Sequence, residues 1–105
     1  MGSIDSVTER HAYRLRNRNR RQVVAECTPD NSGDASYGLA ASDVGLASIE
    51  SVALETPVIN SGDSMVTWDQ TNGEFDVFAN DGTGNANAAD LSGETIVVVV
   101  TGPEE

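Results

Sequence analysis

The chain has 105 residues, a formal net charge of −11 and only 5% aromatic residues. That length suits one domain with a thin core, and no stretch approaches the ~20 apolar residues that span a bilayer as a helix. A single cysteine, Cys27, excludes an intrachain disulfide and a cysteine-based metal set.

Charge is segregated along the chain. All six basic residues are arginines: Arg10, Arg14, Arg16, Arg18, Arg20 and Arg21. Residues 1–21 sum to +4, whereas residues 22–105 hold fifteen carboxylates, no Lys and no Arg, and sum to −15. Such a body repels itself at low salt. Molar salt shortens the Debye length to about 3 Å and removes that penalty. Abundant Asp and Glu, absent Lys, and Val and Ala in place of larger apolar residues point to a high-salt environment. An ordinary acidic protein kept soluble by its charge is the alternative. The start, MGSIDSVTERHAY, lacks an apolar signal-peptide region. Met1-Gly2 with Ser6 is too weak a pattern for myristoylation, and Asp5 argues against it.

Ser6 to Arg16 alternates as a strand does. Val7, Glu9, His11, Tyr13 and Leu15 share one face; Thr8, Arg10, Ala12, Arg14 and Arg16 share the other. On that pattern Arg10, Arg14 and Arg16 form a ladder, which repels itself unless it meets carboxylates or phosphates. Asn17 to Asn19 reads as a turn, and Arg20 to Thr28 resumes as a strand with Cys27 as a small buried residue. Residues 6–28 are thus expected to form a long hairpin, with 1–21 as a basic N-terminal arm.

Pro29 to Gly38 is a loop of turn-formers. Ala40 to Leu46 fits one helical turn, capped by Ser42 or Asp43 and ended by Gly45. Ile49 to Thr56 fits a strand with Val52 and Leu54 on one face, and Pro57 breaks it. Asn60 to Asp63 turns into the clearest element of the chain, the hairpin Ser64–Ala79 (SMVTWDQTNGEFDVFA). Asn72-Gly73 suits a two-residue type I′ turn, which needs φ > 0 at both central positions. The hairpin carries the only Trp and both Phe, so Trp68, Phe75 and Phe78 are expected to anchor the core or an interface. Asn80 to Asp90 is a polar surface loop. Leu91 to Thr101 ends in IVVVVT, a β-branched run expected in the middle of a sheet. Gly102-Pro103 stops it, and Glu104-Glu105 is a solvated tail. The whole reads as a single all-β domain over 1–105, an antiparallel β-sandwich or small barrel of about six to eight short strands.

No catalytic set is visible, and the chain is read as non-enzymatic. His11 stands alone, no serine lies in a G-x-S-x-G elbow, and no Gly-rich loop joins a strand to a helix. Asp81, Asn85, Asn87 and Asp90 offer oxygen ligands in one loop, but the EF-hand pattern is absent. A solvated loop, with no metal and no cofactor, is the preferred reading. The RLRNRNRR stretch could contact phosphates. Against nucleic acid stand the −15 body and the lack of interleaved aromatics other than Tyr13. An acidic protein partner, or an acidic neighbouring copy, fits the cluster better. Self-neutralisation within one monomer is the structural alternative.

Three stretches in order, SDVGLASIESV, WDQTNGEFDVF and ANAADLSGETIVVVVTG, resemble a group of small virion structural proteins of tailed phages and archaeal tailed viruses. The likeness covers roughly residues 20–102. A Tyr-Pro-Thr-Gly-Gly element of that group is here only SYGLAA. The resemblance implies a β-sandwich decoration (cement) or minor capsid protein on the head lattice. It implies a homotrimer, the major capsid protein lattice as partner, and residence on the capsid surface of the virion, without membrane or nucleic acid. Arg10, Arg14, Arg16, Arg18, Arg20 and Arg21 are then the candidate docking residues. The rival expectations are a tail or turret component, a nucleic-acid-binding protein using the Arg-rich arm, and a carbohydrate-binding module.

Overall fold

The N-terminal hairpin sets the frame. In the computed structural model, which describes residues 2–15 and 19–105, it is built from β1 (Gly2–Arg14) and β2 (Arg20–Pro29). The strands pair antiparallel from Ile4↔Pro29 to Arg14↔Arg21. The first strand therefore starts earlier than its alternation suggests. Two register shifts interrupt it, between Ile4 and Ser6 and between Glu9 and His11. The second changes the expected faces. Val7 and Glu9 pair with the inward residues Cys27 and Ala25, but beyond the bulge Ala12 pairs with inward Val23 and His11 with outward Val24. Among the described residues the expected Arg ladder is broken, because the bulge puts Arg10 out of phase with Arg14; its third member, Arg16, lies outside the described residues.

Six further strands follow: β3 (Ser36–Gly38), β4 (Ser51–Leu54), β5 (Val58–Ile59), β6 (Ser64–Asp69), β7 (Glu74–Ala79) and β8 (Ile96–Pro103). All eight join one sheet in the order β4-β8-β2-β1-β3-β7-β6-β5, which curls into a half-barrel. The fold is all-β, and its strand number falls within the expected range. It departs from a purely antiparallel plan at one seam, where Gly2 and Ser3 of β1 run parallel to Tyr37 and Gly38 of β3. There β1 passes from one half of the sheet to the other.

The inner faces close over one core. Val23, Ala25 and Cys27 of β2 and Ile96, Val98 and Val100 of β8 face Val66, Phe75 and Val77 of the other half. Period-two alternation produces these stripes directly. The IVVVV run is central, between β4 and β2, as its composition predicts. The strand does not stop at Gly102-Pro103: Gly102 pairs with Arg21 and Pro103 with Arg20. Glu104 is no free tail either, since its N–H donates to the Asn19 carbonyl (2.7 Å) and it bridges to Leu46.

The central hairpin forms over the expected residues, but its turn is longer. Asp69 pairs with Glu74, so Gln70 to Gly73 make a four-residue loop. Asp69 Oδ1 accepts from the N–H groups of Thr71 (3.0 Å) and Asn72 (3.2 Å), and the Gly73 N–H donates to the Asp69 carbonyl (2.9 Å). That carboxylate satisfies donors which a two-residue turn would leave in the ladder. Only Gly73 adopts positive φ (66°); Asn72 does not. The expected type I′ turn is replaced because Asp69 outcompetes the Asn-Gly preference.

Two short strands escape sequence reading. β3 lies within turn-formers, yet its Tyr37 is fully buried and donates its hydroxyl to the Ala89 carbonyl (3.1 Å). β5 follows directly on Pro57. The expected helical turn is a 3-10 turn at Ala41–Val44, ended by Gly45 at φ 71°. Its N-cap is Ala40, and Asp43 reaches back to accept from the Ala40 N–H (3.1 Å). Among the described residues no helix is long and apolar enough to cross a membrane.

Candidate functional site

Four of the six candidate arginines fall within the described residues; Arg16 and Arg18 lie outside them. Each of the four meets a carboxylate of its own chain. Arg10 pairs with Glu26 (2.8 Å), Arg14 with Glu104 (2.7 Å), Arg21 with Glu9 (3.4 Å) and Arg20 with Glu50. The arrangement follows from strand parity. Arg20 and Glu26 share the outward face of β2, whereas Arg21 shares the inward face with Val23. The bulge at Arg10 carries its guanidinium to the outward Glu26, and Arg14 faces Arg21 across the ladder. The four described arginines thus form two groups.

Arg14 and Arg21 line an open cleft of about 510 Å³ with Ala12, Gly45, Glu104 and Glu105. The Arg14–Glu104 contact is two-pronged, with Nε and Nη2 donating to the two carboxylate oxygens (2.7 and 3.1 Å). This fork holds a defined geometry. The Arg14 side chain is nevertheless 73% exposed, so the pair contributes at most about 1 kcal/mol to stability. Sequence reading misses the acidic partners Glu9, Glu26, Glu50 and Glu104. Glu9 and Glu26 lie on the same hairpin as the arginines they meet, opposite Ala25 and Thr8, and that shared hairpin is the available signal. Glu50 and Glu104 come from distant segments and offer none.

The aromatic anchors divide by parity. Phe75 is fully buried, whereas Trp68 is half-buried against the core margin and Phe78 faces outward on β7. Trp68 Nε1 donates to Gln70 Oε1 (2.7 Å), and Gln70 Nε2 donates to the Ile49 carbonyl (2.7 Å). That relay ties β6 to the segment leading into β4.

Three of the four candidate loop ligands are tied into hydrogen bonds. Asp81 accepts from the Thr83 N–H and hydroxyl (3.0 and 2.6 Å), Asp90 accepts from the Ser92 N–H (3.0 Å), and Asn87 donates to the Ser64 hydroxyl (2.9 Å). Each closes its own turn or anchors the loop to β6. These bonds hold the Asp81 and Asp90 carboxyls below the usual range. A different acidic group, Asp69, Glu74 and Asp76, has ligand atoms within 4.8 Å of one another at the mouth of the central hairpin. Hydrogen bonds from Asn72 pull Asp69 down, while partial burial and then Glu74 and Asp69 push Asp76 up. Asp69 is already committed to its loop donors, and the cluster reads as turn structure with residual repulsion.

Nucleophiles fare no better. Cys27 is buried at 0% exposure, and burial, followed by the charge of Asp43, pushes its thiol up to about 12. It is an inert core residue. His11 is exposed on β1, and its ring lies 6.0 Å from that of Tyr13. No family model, curated protein or solved structure matches this chain.

Proposed function

We propose that the chain is a non-enzymatic virion structural protein, a decoration protein that binds and stabilises the head lattice of a tailed virus from a high-salt host. The observation that carries this reading is how the three stretches of resemblance meet. The Gln70 amide holds the Ile49 carbonyl (2.7 Å), the Glu50 N–H donates to the Thr101 carbonyl (2.8 Å), and Phe78 bridges to Ala86. Segments that are separate in sequence thus form one continuous part of the half-barrel. The −11 charge fits a surface-coating role.

Such a subunit acts by adding buried area at joints between capsomers, at about 25 cal/mol per Å² of apolar surface. Repetition over the lattice turns modest single-site affinity into avidity. The arginines dock by exchanging an intrachain carboxylate for one on the lattice. An exposed pair costs little to open, whereas losing one partner of a desolvated interfacial pair costs about 2–5 kcal/mol. A nucleic-acid role is weakened because residues 22–105 hold fifteen carboxylates and no Lys or Arg, a body that a phosphate backbone repels.

The test is cryo-EM of the virus that encodes the chain, with purified wild-type protein and a double charge reversal, Arg10→Glu with Arg14→Glu. Density on the head lattice for the wild type, lost for a folded double variant, supports the reading. Density on the tail, or absence of the chain from purified particles, overturns it. Decoration by the variant at wild-type occupancy removes the docking role from these arginines.

A further inference from the structure

The loop of the central hairpin carries a reactive dipeptide. Asn-Gly occurs once in the sequence, at Asn72-Gly73, and Asn72 is exposed to water. Glycine puts no side chain beside its own nitrogen, so that nitrogen is open to react. The reaction is intramolecular and needs only hydroxide and water. The Gly73 amide gives up its proton, its nitrogen bonds to the Asn72 side-chain carbonyl carbon, and the carbon–Nδ2 bond breaks with release of ammonia. Water then opens the cyclic imide at either carbonyl, which leaves an aspartyl or an isoaspartyl linkage.

Asp69 holds every group that this attack requires. The Gly73 N–H donates to the Asp69 main-chain carbonyl (2.9 Å). Asn72 Nδ2 donates to Asp69 Oδ2 (2.8 Å), and the Asn72 N–H donates to Asp69 Oδ1 (3.2 Å). The first bond keeps the proton on the nucleophile. The second pushes electron density into the side-chain amide and makes its carbon a poorer electrophile. The first and third lie on either side of the Asn72 Cα–C bond, whose rotation would bring the nitrogen onto the side chain. The Gly73 carbonyl is tied as well, accepting from the Leu39 N–H (3.2 Å).

We propose that Asp69 protects Asn72-Gly73 from spontaneous deamidation in the folded chain, and that the pair becomes a modification site when this clamp opens. The product would harm the hairpin. A new carboxylate would face Asp69, which already has ligand atoms of Glu74 and Asp76 within 4.8 Å. An isoaspartyl linkage would also add a methylene to the main chain between Asp69 and Glu74, the pair that closes the loop. This inference does not rest on the decoration reading.

Peptide mass spectrometry of the full chain reads it directly. The protein is incubated in mildly alkaline buffer, folded and, in parallel, unfolded in urea at the same salt. Cleavage after glutamate releases the segment from Thr56 to Glu74, in which amide-to-acid exchange is located by fragmentation. Deamidation of Asn72 is expected to be at least about tenfold slower in the folded chain, because it has to wait for local opening. Asp69→Asn, which keeps the shape of the side chain, and Asp69→Ala are each expected to raise the folded rate at least about threefold. Gly102→Ala, which perturbs packing against Ser48 and leaves the clamp in place, is expected to keep the wild-type rate. That variant separates loss of the clamp from loss of stability. Equal rates in folded and unfolded wild type overturn the proposal. So do Asp69 variants no faster than wild type, or an equal rise in Gly102→Ala.

Discussion

Trp68 and Phe75 lie directly opposite one another on β6 and β7, with ring centroids 5.0 Å apart and planes at 65°. The edge-to-face geometry adds about 0.5–1.5 kcal/mol beyond the area the rings bury. Their burial differs, Phe75 being enclosed and Trp68 partly exposed at the core margin.

Truncation should therefore rank the two residues against their size. Phe75→Ala is expected to cost about 4 kcal/mol and Trp68→Ala about 3 kcal/mol, both read from urea unfolding midpoints. The double variant should lose less than the sum, because the two share one contact. If Trp68→Ala is as stable as wild type, the hairpin is not the anchor its aromatics suggest.

Gly102 carries a backbone argument that composition hides. A Cβ there would collide with the Ser48 carbonyl oxygen, a backbone atom that cannot rotate away. Gly102→Ala is expected to cost about 2–3 kcal/mol through forced backbone displacement. Gly93, where an added Cβ meets nothing within 4 Å, is the control, and Gly93→Ala should melt close to wild type. Equal melting temperatures for both variants would remove the packing role of Gly102.

What the sequence discloses and what it hides follow one physical division. Period-two stripes in β6 and β7 are local, and they put Val66 with Trp68, and Phe75 with Val77, on shared faces without knowledge of any partner strand, whereas the unbroken IVVVV run marks β8 as central and leaves its inward residues unassigned. Tyr37 is buried by the N-terminus of β1 and the carbonyl of Ala89, both distant in sequence, so its turn-rich surroundings mislead. The bulge at Arg10 is equally invisible, because one extra residue leaves the composition unchanged yet inverts the later faces. The arginines are visible as a cluster, but their carboxylates are not. Arg14 meets Glu104 ninety residues away.

Two neighbouring aspartates should respond to pH with opposite signs. Asp76 titrates above its ordinary value of 3.8 because partial burial, Glu74 and Asp69 disfavour its charge. The folded state thus holds that charge at a cost at pH 7, and protonation relieves it as pH falls through the raised folded pKa. Asp76→Asn is expected to raise the melting temperature at pH 7, and the difference should vanish below the unfolded value. Asp69 titrates below 3.8 because Asn72 and the loop N–H groups donate to it. Its contribution is present above the unfolded pKa and is lost as pH falls through the lower folded one. Asp69→Asn should therefore lower the melting temperature at pH 7, with the gap closing in strong acid. Two variants shifting in the same direction would contradict the hydrogen-bond assignment at the hairpin mouth.

Salt should stabilise this fold, and the competing terms can be ranked. The molecule measures 41 by 24 by 22 Å. At 0.01 M salt the Debye length is about 30 Å, so nearly every charge acts on every other; at 1 M it is about 3 Å, and only contacts survive. Salt weakens the four described ion pairs, but exposed pairs of this kind contribute only about 0–1 kcal/mol each. Against them stand the carboxylates these arginines do not meet, including Asp69, Glu74 and Asp76 within 4.8 Å of one another. Repulsion among these is long-ranged and has no basic residue after Arg21 to offset it. The melting temperature is therefore expected to rise steadily from millimolar to molar potassium chloride. Neutralising the hairpin cluster by the triple substitution Asp69→Asn, Glu74→Gln and Asp76→Asn should flatten part of that slope. A melting temperature that stays level or falls with salt would show that the ion pairs outweigh the repulsion, and that acidity does not tune this chain to salt.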